Sequence, residues 1–311
     1  MNESESTFRS ELRQIGALDD YAEKPANPLR AVELLDRLHS APLNNADWVF
    51  RGQSHPWPLK PTLERIADPA IVRQCGTVEK PLIREFMSRV HQYTADVPDE
   101  DDELGCLALM QHYGAPTRLL DWTISPFVAA FFAAEKPPQG EPQEAPVIWA
   151  VNRRELIEDV LQVVRFENPG AVPDQVAKAE KFLRTIPPPV DAYRPLEITL
   201  LRRRDPFQRP LVIPDRPTKM NERLSVQQGV FLRVNPPNWS FEDALRYVLA
   251  KRRDGKSRAL HKLRIAPDER LDLLKELHRM NISAESLYPG LDGFARSLTV
   301  RAEILTEEWK A

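Results

Sequence analysis

Two arginines adjoin runs of apolar residues, and a buried guanidinium must find either a counter-charge or a ligand. Arg51 ends a short run of strand-forming residues, and Arg118 directly precedes a pair of leucines. A planar guanidinium can donate two parallel hydrogen bonds to a phosphate or a carboxylate. One interpretation is therefore that the two arginines hold a diphosphate. The other is that Arg118 forms an internal ion pair with Asp121 or Glu64.

Several polar side chains lie close to Arg118 in the sequence. Gln111, His112 and Tyr113 end a predicted helix, where a histidine serves either as a helix cap or as a proton carrier and hydrogen-bond donor in a site. Asp121 is predicted to orient Arg118 or His112, or to act as a general base. The alternative is a buried carboxylate that pairs with an arginine and stabilises the fold.

Four further candidates have both a structural and a functional interpretation. Trp122 is predicted either in the core or beside a flat ligand ring. Thr123 leads into a helix that Ser125 caps, which favours a structural role for both hydroxyls. Gln227 and Gln228 precede a glycine, and either a turn at the start of a strand or a hydrogen bond to a ligand hydroxyl accounts for them.

The sequence lacks the motifs of several enzyme classes. It contains no glycine-rich phosphate loop and no Gly-x-Gly-x-x-Gly fingerprint, and its six histidines show no metal-ligand spacing. Cys75 and Cys106 have neither zinc-ligand spacing nor the context of a nucleophile. Because the net charge is -3, the basic runs 202–204 and 251–253 are predicted to be solvated faces, with nucleic acid phosphates as the alternative.

Both helices and strands are expected to position these residues. The 29 prolines favour mixed α and β structure with many fixed loops, since proline cannot donate to a helix or sheet ladder. We therefore predict an α+β fold, with a compact mixed β-sheet core, packed helices and a cleft near Arg51, His112 and Arg118. Strands are expected at 48–51, at the end of 115–123, and at 147–151, 229–234 and 260–265. Helices are expected at 28–38, 78–94, 127–134, 240–251, 271–280 and 291–298, and a further helix is expected to end at about residue 113.

The chain is predicted to consist of an N-terminal arm, residues 1–26, and one domain, residues 27–311. Within that domain, residues 152–222 give only a weak signal for secondary structure and are predicted to be an insert or cap. No window approaches the roughly 18 consecutive apolar residues of a membrane span, and the polar, acidic N-terminus does not resemble a secretory signal. We therefore expect a cytoplasmic protein with no membrane partner.

Three blocks of the sequence resemble the FRG domain family, which is named for its Phe-Arg-Gly triplet. The first runs from Trp48 through Phe50-Arg51-Gly52-Gln53-Ser54 to Pro61-Thr62-Leu63-Glu64-Arg65, and the second and most specific is the continuous stretch Leu109 to Thr123 with Ser125-Pro126 and the helix 129–133. The third consists of Arg223, Gln227-Gln228-Gly229, Phe231 and 287–293, where Tyr288 replaces an expected phenylalanine.

At a distance, the layout also resembles the ADP-ribosyltransferase superfamily. In that superfamily, a strand carrying aromatic-Arg-Gly is followed by a strand with Ser or Thr, a helix rich in Ala and Phe, and a later strand with the catalytic glutamate. Arg51-Gly52 matches the first element and Thr123 with Ser125 the second. Gln227-Gln228 stands where the glutamate is expected, and Glu222 lies several residues too early.

This resemblance implies that the cleft binds NAD, or a related nucleotide, as the substrate of an ADP-ribosyltransferase-like enzyme. Arg51 would grip the phosphates, His112 with Gln53 would contact the ribose, and Thr123 would orient the nicotinamide side. Gln227, Gln228 or Glu222 would take the place of the glutamate, and the remaining contacts would come from Gly52, Gln111, Tyr113, Arg118, Asp121, Trp122 and Arg223.

The same resemblance implies a bacterial toxin or phage-defence effector with a macromolecular acceptor that the sequence does not name. One alternative is a non-catalytic nucleotide-sensing or protein-interaction module that uses the same cleft. A further alternative is a protein that acts on nucleic acid through the basic runs.

Overall fold

The computed structural model describes residues 10–66, 75–99, 101–137, 145–167, 173–184, 209–217, 219–252 and 259–309. The strands are β1 (Trp48–Gln53), β2 (Leu120–Thr123), β3 (Val147–Asn152), β4 (Leu211–Asp215), β5 (Gly229–Asn235) and β6 (Leu260–Arg264). The helices are α1 (Ala31–His39), α2 (Thr62–Ile66), α3 (Cys75–Val90), α4 (Glu103–His112), α5 (Pro126–Ala134), α6 (Arg153–Phe166), α7 (Pro173–Arg184), α8 (Glu222–Val226), α9 (Phe241–Ala250), α10 (Arg270–Arg279), α11 (Ala284–Leu287) and α12 (Leu291–Glu308).

The six strands form one open sheet in the order β4-β5-β2-β1-β3-β6. The predicted α+β class is confirmed. The expected mixed sheet is wrong for these strands, because every neighbouring pair runs antiparallel. An alternation of strands and helices along the sequence does not fix the direction in which each strand enters the sheet, so the pattern left this open.

Helices cover both faces of the sheet, and the alternation of side chains along each strand divides the core into two parts. On one face, Val49 and Trp149 pack with α6 and α9. On the other face, Phe50 and Ile148 pack with α1, α5 and α10. A smaller apolar cluster joins α4 and α8 to β5 through residues such as Leu107. This cluster places the end of α4 beside the sheet.

Helix α5 lies against β1 with almost no space between the two backbones. A Cβ atom added to Gly52 would lie 1.9 Å from the carbonyl oxygen of Ala129 and 2.6 Å from the amide nitrogen of Ala133. The absence of a side chain at Gly52 therefore permits the approach. Ser125 caps α5 as predicted, since its hydroxyl accepts a hydrogen bond from the Val128 amide.

The segment before β1 follows the edge of the sheet. The amide of Glu23 donates to the carbonyl of Leu260, and the amide of Leu29 donates to the carbonyl of Arg264. Glu23 thus forms an isolated bridge with His261 of β6, and Leu29 forms one with Ile265, directly after β6. Leu29 was predicted inside a helix that begins at Asn27-Pro28, and this was wrong because pairing with β6 holds it extended. In the predicted arm, the described residues 10–26 bury Leu12 and Leu18 in the core.

The stretch 152–222 supplies structural elements to the same core. Val160 of α6 is fully buried under the sheet, and β4 forms the edge of the sheet beside β5. The sequence patterns did not predict β4. The prolines of the stretches 187–189 and 136–146 favour loops, and residues 187–189 and 138–144 lie outside the described residues. Among the described helices, none has the length and apolar character that crossing a membrane requires.

Candidate functional site

The sheet opens between β1 and β2. These strands share one registered pair, Phe50 with Thr123, whereas β1 and β3 share six. A cavity of about 620 Å³ lies beside this opening, which is the size range of small-molecule sites. We call this cavity the cleft. Its lining comes from β1 and the residues after it, from the ends of α4 and α5, from β2 and β5, and from α8 with Tyr288.

The charged groups of the cleft are mostly cationic. Its lining includes Arg51, Lys60, Arg65, Lys136 and Arg223. Two carboxylates, those of Asp121 and Glu135, also contribute. Within the part of the chain that the structure describes, none of the five cations lies in ion-pair contact with a carboxylate, so the cleft has a surplus of positive charge.

Arg51 reaches across the opening between the strands. Its Nη1 donates a hydrogen bond to the backbone carbonyl of Asp121, at 2.5 Å. Its Nε–H is buried and has no partner among the described residues. Burial lowers the pKa of the guanidinium, the charge of Asp121 opposes that shift, and the charge of Arg65 reinforces it. An anionic acceptor in the cleft would give the buried Nε–H of Arg51 a hydrogen-bond partner, and buried polar groups are normally hydrogen-bonded.

Arg118 lies outside the cleft. Its Nε is 3.2 Å from a carboxylate oxygen of Glu79, its backbone amide donates to the same carboxylate, and its Nη2 contacts Glu103. The expected internal ion pair therefore exists, but with Glu79 and Glu103 instead of Asp121 or Glu64. Burial raises the pKa of Glu79, and the charge of Arg118 opposes that shift. This network holds α3, α4 and the start of β2 together.

A short hydrogen-bonded chain connects α4 to Asp121. The hydroxyl of Thr117 donates to the side-chain oxygen of Gln111, and the side-chain nitrogen of Gln111 donates to Asp121 Oδ1 at 2.6 Å. The chain fixes which way the Gln111 amide points. It also aims the Asp121 carboxylate, which is exposed in the cleft, in one direction.

His112 lies in the cleft at the last residue of α4. The helix ends there because Gly114 adopts a φ of 84°, a left-handed conformation that glycine tolerates at a helix C-terminus. Burial lowers the pKa of His112, and the charge of Arg223 lowers it further. The imidazole is therefore neutral near pH 7 and can accept a proton. Tyr113, the next residue, is exposed and does not line the cleft.

The residues aligned with the second and third transferase elements have mostly structural partners. The Thr123 hydroxyl donates to the Gln227 carbonyl at 2.7 Å and accepts from the Ser125 amide. The side chain of Gln227 donates to the Leu287 carbonyl. Gln228 is exposed and adopts a φ of 50° in the turn before β5. Neither Gln228 nor the exposed Glu222 lines the cleft, whereas Gln227 does.

Tyr288 brings the C-terminal helices to the cleft. Its ring lies between two guanidinium groups, with Arg223 at 4.9 Å from the ring centroid and Arg296 at 4.5 Å. Its hydroxyl donates to Glu135, so the tyrosine that replaces an expected phenylalanine has a partner. Burial raises the pKa of Tyr288 to about 12, and the phenol is neutral near pH 7.

Two further predicted residues, Gln53 and Trp122, are buried and line the cleft. Gln53 accepts a hydrogen bond from the indole nitrogen of Trp149 at 3.0 Å. Trp122 belongs to the core, as one interpretation predicted, and it also lines the cleft. Its indole nitrogen is buried and has no partner among the described residues.

Sequence reasoning missed several lining residues, including Ser54, Trp57, Lys60, Arg65 and Asn221. Trp57, Lys60 and Arg65 all follow the Phe-Arg-Gly triplet within 15 residues. A strand that ends in a polar site commonly continues into a loop that lines the same site, and this signal was present. Asn221 had no such signal, because it reaches the cleft only through the packing of α8.

One of the two basic runs is partly described. Lys251 lies 3.3 Å from Glu167, and Arg252 pairs with Glu155. These two cations are therefore neutralised within the fold. Residue 253 and the run 202–204 lie outside the described residues. Among the described residues, no group of three or more His, Cys, Asp or Glu side chains is arranged to hold a metal ion.

Comparison with known protein families gives one match, to the FRG domain over residues 46–141. An FRG domain is therefore present, covering about a third of the chain. No curated protein and no solved structure matches the chain. The matched segment supplies the cleft residues from Phe50 to Lys136, while Asn221 to Phe231 and Tyr288 come from outside it.

Proposed function

We propose that the FRG domain and the C-terminal part of this chain together bind NAD, or a related phosphorylated nucleotide, in the cleft. The observation that carries the proposal is the excess of cations over carboxylates around Arg51 in the lining of the cleft. Five cations and two carboxylates line the cleft, and the buried Nε–H of Arg51 has no protein acceptor among the described residues. Guanidinium groups favour phosphate oxygens as acceptors. The cleft volume of about 620 Å³ fits a ligand of this class.

The reaction that we propose is transfer of ADP-ribose. The bond between C1′ of the ribose and the nicotinamide nitrogen breaks, and nicotinamide leaves with the electron pair. An acceptor nucleophile forms the new bond to C1′ and loses its proton. Asp121, oriented by Gln111, is the carboxylate available to stabilise the developing positive charge. Neutral His112 is the base available for the proton.

A second candidate function is nucleotide sensing without chemistry. One observation favours it: the third transferase element contributes no carboxylate to the cleft, since the Gln227 amide donates to Leu287 and Glu222 lies outside the lining. The two candidates share the ligand and differ in turnover.

The test is incubation of the full chain with NAD and cell extract, with nicotinamide release and the NAD-dependent thermal shift as readouts. Arg51→Ala is expected to lose the thermal shift. Asp121→Asn is expected to keep it and to lose nicotinamide release. Arg89→Ala, an exposed arginine of the FRG segment outside the cleft, serves as the matched control and is expected to behave as wild type.

Three results decide between the candidates. Nicotinamide release that depends on Asp121 supports the transferase. A thermal shift that depends on Arg51, without nicotinamide release, supports sensing. Absence of both in the wild-type protein contradicts the binding of NAD in this cleft.

A further inference from the structure

Trp57 is an exposed aromatic residue in the lining of the cleft. It keeps 47% of its surface exposed, although tryptophan side chains are highly buried on average. It shares the lining of the cleft with two cations, Lys60 and Arg65. An open indole face in a lining that also carries cations is an arrangement that proteins use to stack a base while they hold its phosphates.

The loop that carries Trp57 is fixed at several points. Leu59 is fully buried, and its amide donates to a carboxylate oxygen of Glu242 at 3.2 Å. The Trp57 amide donates to the carbonyl of His55 at 2.8 Å. Prolines flank both sides of Trp57 and also precede α2, and each removes freedom from the backbone. A ligand that contacts Trp57 therefore meets a surface whose backbone is already ordered.

The His55 ring supports the indole. The two ring centroids are 4.9 Å apart, with an angle of 43° between the planes. A tilted pair at this distance is within the range of favourable aromatic contacts. His55 thus restricts the movement of the Trp57 side chain.

We infer that Trp57 is the platform for a purine base of the nucleotide, with Lys60 and Arg65 near its phosphates. The inference rests on the proposed function for the anionic part of the ligand and adds the chemistry of the base. A purine is favoured over a single ring because a fused bicyclic base overlaps the indole over a larger area. Trp57 is a specificity residue on this account and takes no part in bond breaking.

The experiment measures binding of three probes to the full chain by calorimetry: adenosine, which has only the base and sugar; inorganic pyrophosphate, which has only the anion; and ADP, which has both. Trp57→Ala is expected to weaken ADP and adenosine by about 10-fold or more and to leave pyrophosphate unchanged. Trp57→Phe is expected to recover part of the loss. Trp309→Ala serves as the matched control, because Trp309 is 91% exposed and does not line the cleft.

The outcomes separate this inference from the proposed function. If Trp57→Ala binds ADP and adenosine as the wild type does, the platform is wrong while nucleotide binding stands. If the wild type binds adenosine through Trp57 but not pyrophosphate, the platform stands and the cationic site fails. If the wild type binds neither adenosine nor ADP, the platform is overturned. Equal melting temperatures of the variants show that the fold is intact in each comparison.

Discussion

Substitution of Gly52 by alanine tests whether the close contact between β1 and α5 sets up the cleft. The new Cβ would lie 1.9 Å from the Ala129 carbonyl oxygen and 2.6 Å from the Ala133 amide nitrogen. Both are backbone atoms of a helix, so they can move only if the helix moves. Overpacking of a well-packed core costs about 1–3 kcal/mol, and more where the backbone must shift. We therefore expect Gly52→Ala to lower the free energy of unfolding by about 3 kcal/mol or more.

Gly114→Ala is the matched control for this substitution. Gly114 has a φ of 84°, and nothing lies within 4 Å of the position of its Cβ. Alanine there meets no steric contact and suffers only the cost of a left-handed backbone, about 1 kcal/mol. Both variants replace a glycine by alanine, but Gly52→Ala loses stability through steric overlap and Gly114→Ala loses it through the backbone conformation alone.

Urea unfolding followed by circular dichroism measures both variants, and thermal unfolding supplies a second readout. For a protein of this size, we expect Gly52→Ala to lower the melting temperature by roughly 5–10 °C and Gly114→Ala by a few degrees. A Gly52→Ala protein that is as stable as Gly114→Ala would refute the reasoning, because it would show that α5 can move away from β1 at little cost.

Two further predictions concern buried carboxylates. Burial raises the pKa of Glu64 to about 7 from its usual 4.5. The folded protein therefore binds the Glu64 proton more tightly than the unfolded chain does. As the pH rises from about 4.5 to about 7, the free energy of unfolding of the protein falls by up to about 3 kcal/mol. Glu64→Gln, which keeps an acceptor for the Phe241 amide, should show a smaller loss of stability to urea between pH 5 and pH 8. Arg118→Met leaves Glu79 buried without the guanidinium that pairs with it and also removes the contact between Arg118 and Glu103, and it should lower the free energy of unfolding by about 3–5 kcal/mol.

Each of these two predictions has a clear contrary outcome. An equal loss of stability between pH 5 and pH 8 in the wild type and in Glu64→Gln would show that Glu64 does not titrate in this range. For the ion pair, Arg89→Met is the control, since Arg89 pairs with Glu85 at the surface and such pairs are worth about 0–1 kcal/mol. Similar losses in Arg118→Met and Arg89→Met would contradict a structural role for the buried network.

Local sequence patterns predicted much of the fold. Most strands and helices were anticipated from runs of β-forming residues, from helical periodicity and from caps such as Ser125, because these signals depend on neighbouring residues. The edge strand β4 was missed, since its Pro214 argues against a strand. Proline is tolerated at sheet edges, and only the tertiary position of β4 shows that it is an edge. The start of α1 was wrong for a similar reason, because pairing with β6 removes Leu29 from the helix.

The candidate site was predictable as a set of residue types but not as an arrangement. Arg118 was recognised as a buried cation in need of a partner, yet Glu79 lies 39 residues away in the sequence and has no local signal. The same holds for Tyr288, which reaches the cleft from the C-terminal helices. Pairings across such distances depend on the packing of whole elements, which a single sequence does not display.

Each residue of the Phe-Arg-Gly triplet has its own structural role. Phe50 is buried against α5, and Gly52 allows α5 to approach β1. Arg51 points the other way and joins β1 to β2 through the Asp121 carbonyl, beyond the last registered pair of those strands. A ligand anion that binds the Arg51 guanidinium therefore also acts on the contact that joins the two strands.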